Sequence, residues 1–295
     1  MTQRNTLRTI VLQRVGEPSA GFWRTHGEAD TPPVAGCLDS SRSCETPRAF
    51  TLVELLVVIG ILAMLAALLV PAVMMAMRTT RNAAMRSEIN MLQMAMLNYQ
   101  SEYGVLPPCY DSTYFGGTPA NSYKSSGESA RHLRRLFPRC SDVLAQLNTA
   151  NRIPIDPRTS LYSWLGGYTA DPTSPLQPDG ARVRLYDFDR ARVTSAGYYP
   201  SGSKDSPFVY IDASHYVAST ASPRFSVTPS GAYFAHRVPM APAWSFEDPT
   251  QPFFNADTFQ ILCAGRDGIF GNDDDLSNFW PGTRSEYLES MKAKK

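Results

Sequence analysis

The chain reads as an α+β protein in which one long N-terminal helix packs on an antiparallel sheet that carries insertions. Three observations predict this. From Phe50 to Val70, 21 residues carry a single charge, Glu54, and no proline. Beyond Pro71, Met85, Ile89, Leu92, Met96, Tyr99 and Tyr103 advance by three and four, one apolar stripe at helical period. From Arg182 onward, short runs rich in aromatic and β-branched residues alternate with Pro, Gly and Ser, as strands and turns do.

The apolar run comes first in the argument. At 1.5 Å rise per residue, 21 residues span about 30 Å, the hydrocarbon thickness of a bilayer. The run is too long for the core of a cleavable signal peptide, and no A-x-A site follows it. Glu54 sits five residues in, where a carboxylate is costly in lipid and marks a function or snorkels to the interface. The stripe extends the helix from Phe50 to Tyr103, about 80 Å long. Arg81, Arg86, Glu88, Asn90 and Gln93 are expected on its other faces. Gly104 is placed as the residue that ends it, and Pro107-Pro108 bar further helix.

Residues 1–49 read as a leader peptide, 50–71 as a transmembrane helix and stem, and 72–104 as the amphipathic half of that helix. Residues 105–181 read as a variable insertion and 182–295 as a β-rich head. The leader has six Arg against five acidic residues and little hydrophobic periodicity. In the insertion, Asp111–Ser129 reads as a loop, while Ala130–Leu136 and Ser141–Thr149 are short helical candidates separated by Pro138. The strand candidates are Val183–Phe188, Phe208–Ile211, Tyr233–Val238 and Phe259–Cys263. Trp164, Tyr168, Trp244 and Trp280 are expected to fill the core or an interface.

Among 295 residues the formal net charge is +1, and no basic stretch is interleaved with aromatics, so no nucleic-acid partner is expected. Of five cysteines, Cys37 and Cys44 fall in the leader. Cys109 and Cys140 could pair, leaving Cys263 free in a strand, although spacing alone does not decide it. His132, His215 and His236 stand apart from one another without a metal-binding spacing. Asp187 and Asp189 flank Phe188 on one predicted face, weak evidence for acid–base chemistry. The chain has no G-x-S-x-G, P-loop or dinucleotide fingerprint, and it is expected not to be an enzyme.

Near the C-terminus a predicted strand, Phe259–Cys263, runs into an acidic loop. Asp267, Asp273, Asp274 and Asp275 put four carboxylates in nine residues, with Gly268 and Gly271 between them. Hard oxygen ligands gathered this way suit Ca²⁺, and a carboxylate run without a cation needs full solvation instead. The spacing is not that of an EF-hand.

Ala49-Phe50-Thr51-Leu52-Val53-Glu54, preceded by Arg48, resembles the processing site of type IV prepilins and type II secretion pseudopilins. The resemblance runs from Arg48 to Gly104. It implies cleavage between Ala49 and Phe50 by a membrane prepilin peptidase, and N-methylation of Phe50. It also implies assembly through Glu54 and a helix kinked at Pro71. Ala49 departs from the Gly usual before the cut, which implies slower processing. Glu54 would pair with the Phe50 ammonium of the same or a neighbouring subunit and set axial register.

The acidic loop resembles that of the major, G-type pseudopilin, which implies Ca²⁺ held by Asp267, Asp273 and Asp275, with Asp274 and Ser277 as further candidates. The partners implied are other copies of the chain through the N-terminal helices, other pseudopilins, the secretion platform and the membrane. Charges flanking the anchor do not orient it: Arg78, Arg81 and Arg86 follow as closely as Arg42 and Arg48 precede. A cytoplasmic-membrane, single-pass placement with the C-terminal domain in the periplasm rests on the resemblance. A minor pilin for adhesion or DNA uptake and a membrane-anchored ligand-binding ectodomain are the alternatives.

Overall fold

The structure, a computed structural model, describes residues 50–111, 122–148, 155–177, 180–203, 205–216, 226–227, 231–241, 244–246 and 248–294. The leader expected at 1–49, Ala49 included, lies outside them. The chain divides into two units, Met1–Leu56 and Val57–Lys295, and the whole head belongs to the second.

Helix α1 runs from Leu52 to Tyr103 without interruption, 52 residues or about 78 Å. Pro71 lies inside it. Lacking an N–H, it leaves the Ala67 carbonyl without its intrahelical donor, a cost that a single turn of a long helix absorbs. The stripe is where the spacing put it: Met85, Ile89, Leu92, Met96 and Tyr99 are buried, joined by Ala95, and Tyr103 is half-buried. The helix stops as expected. Gly104 takes φ +74°, the left-handed conformation that suits glycine, and its N–H donates to Gln100 O at 2.8 Å.

Glu88 corrects the sequence reading. Expected on a face other than the apolar stripe, it is only 4% exposed and belongs to the buried side of α1. Position 88 is three residues from Met85 and four from Leu92, so the helix carries it into the head whatever its charge. Arg192 meets it with both terminal nitrogens, Nη2 at 2.6 Å from Oε1 and Nη1 at 2.9 Å from Oε2. The Tyr198 hydroxyl donates to Oε1 at 2.5 Å and the Ser201 N–H to Oε2 at 3.2 Å. A buried carboxylate is tolerated only with such a full set of donors.

Both short helices expected in the insertion form: α2 is Glu128–Leu136, and α3 is Val143–Leu147, capped by Asp142, whose Oδ1 accepts from Ala145 N–H. A further helix, α4, covers Ser160–Leu165. The Tyr99 hydroxyl on α1 hydrogen-bonds to His132 Nε2 at 2.7 Å and to the Tyr168 hydroxyl at 2.5 Å. Around them Tyr103, Phe137 and Trp164 complete an aromatic cluster, and Trp164 Nε1 donates to Pro108 O. Trp164, Tyr168 and Trp280 are core residues as expected, whereas Trp244 is half-buried at φ +50°.

The strands are antiparallel and shorter than expected. Ladders of two residues join β1 (Tyr168–Thr169) to β2 (Arg182–Val183), and β3 (Val193–Thr194) to β4 (Gly197–Tyr198). The main sheet places β8 (Phe259–Cys263) between β5 (Val209–Asp212) and β9 (Leu276–Ser277). Its register pairs Val209 with Leu262, Asp212 with Phe259 and Cys263 with Leu276. β6 (Ser226–Val227) pairs with β7 (Gly231–Ala232). Every residue of β5 and β8 is buried, and Cys263 Sγ lies 3.9 Å from Met85 Sδ on α1. The helix therefore packs on the sheet, as the α+β reading requires. The chain closes with α5, Arg284–Ala293, opened by a capping box of Thr283 and Glu286.

Two strand expectations fail for identifiable reasons. After Val183 the backbone turns, because Leu185 and Tyr186 N–H groups both donate to Leu165 O at the end of α4. Asp187 and Asp189 therefore share no strand face. Asp187 pairs with Arg184, and Asp189 caps a short turn and reaches Arg192. Tyr233–Val238 is extended but joins no ladder. The fully buried Gln260 side chain takes the His236 N–H at 2.7 Å and donates to His236 O at 2.9 Å, so a side chain does the work of a neighbouring strand. Only Arg237 makes a bridge, to Phe253. Cys109 and Cys140 are both free buried thiols, so the suggested disulfide is not formed. They have separate partners: Gln146 Nε2 donates to Cys140 Sγ, while Cys109 lies beside Asp212.

Replacing Glu88 by Leu leaves the Tyr198 hydroxyl without its carboxylate acceptor and the Arg192 guanidinium with Asp189 and Tyr199 O in place of a buried carboxylate. It should cost about 2–4 kcal/mol in urea unfolding, with part recovered in Glu88→Leu/Arg192→Met. Equal losses in the single and double variants would mean the pair contributes nothing. Burial, reinforced by Arg135 and opposed by Asp212, pushes the His132 imidazole down to about 4. Between about 6.5 and 4 the unfolded chain thus binds a proton that the native state refuses. Stability from this group is complete above about 6.5 and falls with pH, by a total of order 3 kcal/mol. His132→Gln should flatten that part of the pH profile measured by denaturant midpoint.

Candidate functional site

The N-terminal end of α1 is organised by Thr51 and Glu54. Glu54 N–H donates to Thr51 Oγ1 at 3.2 Å, while Glu54 Oε2 accepts from Thr51 N–H at 3.1 Å and from its hydroxyl at 3.0 Å. This is a capping box, two of the helix's orphan donors satisfied reciprocally. The carboxylate also sits at the positive end of the helix dipole. From the sequence alone Thr51 is given no role beyond its place in the processing motif. The signal was there, since Thr-x-x-Glu before an apolar run is the capping-box pattern.

From Phe50 to Met77 every side chain is exposed. The helix reaches a mean hydropathy of 2.9 over 18 residues, none of them buried, and is long and apolar enough to cross a membrane. Such a surface is stable only against lipid or the apolar faces of other helices.

The acidic loop joins β8 to β9. At its start Gly265 takes φ +63°, and a Cβ there would lie 2.3 Å from Asp274 O. The loop folds back on its own carboxylates. Asp274 Oδ2 accepts from Arg266 N–H at 2.8 Å and Asp267 N–H at 3.3 Å. Asp267 accepts from Ile269 N–H at 2.9 Å and from Asn272 Nδ2 at 2.6 Å. Asp275 is 3% exposed. Its Oδ2 takes Gly271 N–H at 2.7 Å, and its buried Oδ1 has no hydrogen-bond partner among the described residues. Burial pushes its carboxyl up to about 7, with Gly271 N–H and Arg284 opposing and the neighbouring carboxylates adding to the rise.

Asp267, Asp273 and Asp274 line one open cavity of about 430 Å³ with Arg266, Gly271, Asn272 and Arg284. Asp275 lies outside that lining and is turned inward. Ser277 lies in β9, where its buried Oγ accepts from Phe279 and Trp280 N–H, so its hydroxyl serves the turn after the strand. The orphaned Asp275 Oδ1 and the three lining carboxylates suit a hard cation. Arg284, which donates to Gly271 O, and Arg266 supply positive charge to the same cavity.

Residues 47–70 match a family model described as the prokaryotic N-terminal methylation motif. No curated protein and no solved structure matches the chain. With the long apolar helix, the motif fits the type IV pilin and pseudopilin family, whose subunits are processed by a prepilin peptidase and assemble with one another.

Gly265→Ala should destabilise the head by about 2 kcal/mol or more, because left-handed strand-to-loop geometry and collision with Asp274 add. Gly271→Ala has φ +92° but open space around its Cβ, and should lose only about 1 kcal/mol. Equal thermal shifts for the two variants would contradict the close approach of Gly265 to Asp274.

Proposed function

We propose that this chain is a structural subunit of a pseudopilus-like filament in a type II secretion-type system. It is cut between Ala49 and Phe50, methylated on Phe50 and assembled through residues 50–103. The observation that carries the reading is an apolar helix exposed along its whole first half, interrupted only by a carboxylate at the processing end. Before assembly that half rests in the cytoplasmic membrane with the head on the periplasmic side. In the filament it is covered by the same half of other copies and of partner pseudopilins.

Glu54 then has two successive duties. In the single chain it closes the capping box with Thr51. In the filament it exchanges part of that bonding for the Phe50 ammonium of a neighbour, and the burial of an otherwise unpaired charge fixes axial register. Methylation keeps the ammonium charge. Calcium, held by Asp267, Asp273 and Asp274 in the cavity, ties β8 to β9 through the loop. This part of the reading is supported by the orphaned Asp275 Oδ1.

Glu54→Val should leave membrane insertion unchanged and abolish cross-linkable filaments. Persistence of assembly would remove the register role. Chelation by EDTA should lower the melting temperature of the calcium-loaded protein by about 5–10 °C, the shift expected of an ion in roughly hundredfold excess over its dissociation constant. An unchanged melting curve would remove calcium from the account and leave the filament reading standing.

A further inference from the structure

A second cluster of ligand-type side chains lies away from both regions, where the segment after α1 meets the end of β5. Cys109, Asp212 and His215 are all buried and bring Sγ, a carboxylate oxygen and a ring nitrogen within 4.8 Å of one another. Asp212 holds the cluster together. Its Oδ2 accepts from Cys109 N–H at 2.8 Å and hydrogen-bonds to His215 Nδ1 at 2.6 Å. Its Oδ1 accepts from Ser214 N–H at 3.0 Å and from the Ser214 hydroxyl. Ser214 is exposed, and its Oγ also lies 3.1 Å from His215 Nδ1, so the cluster opens to solvent on that side.

We propose that Cys109, Asp212 and His215 form a zinc-type metal site, with the Ser214 side open for a fourth ligand or water. The donor set argues for this class of ion. A thiolate, an imidazole and one carboxylate are borderline-soft ligands that suit Zn²⁺, whereas Ca²⁺ takes oxygen alone. Charge argues the same way. Asp212 and a Cys109 thiolate together cancel a divalent cation, so the buried site carries no net charge when filled.

Tetrahedral zinc with its usual bond lengths holds such ligand atoms about 3.3–3.6 Å apart, so a spread of at most 4.8 Å closes with small side-chain rotations. The ion takes the place of the hydrogen between His215 Nδ1 and Asp212. Binding releases the Cys109 thiol proton to solvent and shifts the ring proton from Nδ1 to Nε2, so that His215 ligates as a neutral imidazole through Nδ1. Asp212 alone, through main-chain and imidazole bonds, would suffice as a structural staple. The buried thiol is the part that such a staple does not need.

Co²⁺ reports the site directly, because thiolate ligation gives a near-ultraviolet charge-transfer band. The test uses the full chain with Cys37 and Cys44 replaced by Ser, stripped of metal. One equivalent of Co²⁺ should produce the band, Zn²⁺ should abolish it by displacement, and Zn²⁺ should raise the melting temperature. Cys109→Ala should lose the band, His215→Gln should weaken Co²⁺ binding at least tenfold, and Cys140→Ala or Cys263→Ala should keep the band. A folded parent protein that shows no band overturns the proposal without recourse to any variant. So does a band that survives Cys109→Ala.

Discussion

An apolar helix that the chain leaves uncovered over its first half is the constraint on which the rest depends. Burying one Leu, Ile or Val side chain is worth about 1.5–3 kcal/mol, and Phe50 to Met77 leaves a long succession of them exposed. No head of this kind could hold such a surface in water. The second half of the same helix solves the problem internally, by laying Met85, Ile89, Leu92, Met96 and Tyr99 into the head. One continuous element thus provides both the core of a folded domain and a surface that only lipid or other helices can cover. The family-model match at residues 47–70 takes in the uncovered residues 50–70.

Two carboxylates on α1 show how one helix treats charge at its two ends. Glu54 is exposed and, among the described residues, bound by Thr51, so its local bonds are open to exchange. Glu88 is buried under Arg192, Tyr198 and Ser201, and removing it would take from the Arg192 guanidinium its buried carboxylate partner. The first is suited to a contact made on assembly, and the second fixes where the head grips the helix. The Arg86 side chain adds to that grip by donating to Gly282 O and Trp280 O.

Much of this was legible in the sequence because it is local. The period of the apolar stripe, Gly104 ahead of two prolines, and the largely apolar run Phe259–Cys263 each carry their own signal. What was not legible depends on partners far along the chain. Glu88 looks like a solvent-facing residue until Arg192, 104 positions later, is placed beside it. Tyr233–Val238 has strand composition, yet the His236 backbone at its centre is bonded by the side chain of Gln260, which no pairing pattern reveals. Within the acidic loop, residue type suggested equivalent ligands, but folding separates them. Asp267, Asp273 and Asp274 face a cavity, Asp275 is turned inward, and Ser277 is absorbed by a turn. Cys109 and His215 lie far apart in sequence without a metal-binding spacing, and only the end of β5 brings them together.

The intact mass of the membrane-extracted protein, made with and without a prepilin peptidase, tests the central claim most directly. The account predicts loss of residues 1–49 and gain of one methyl group when the peptidase is present, and full-length mass when it is absent. Full-length mass under both conditions would contradict it, and the exposed helix would then be an ordinary membrane anchor.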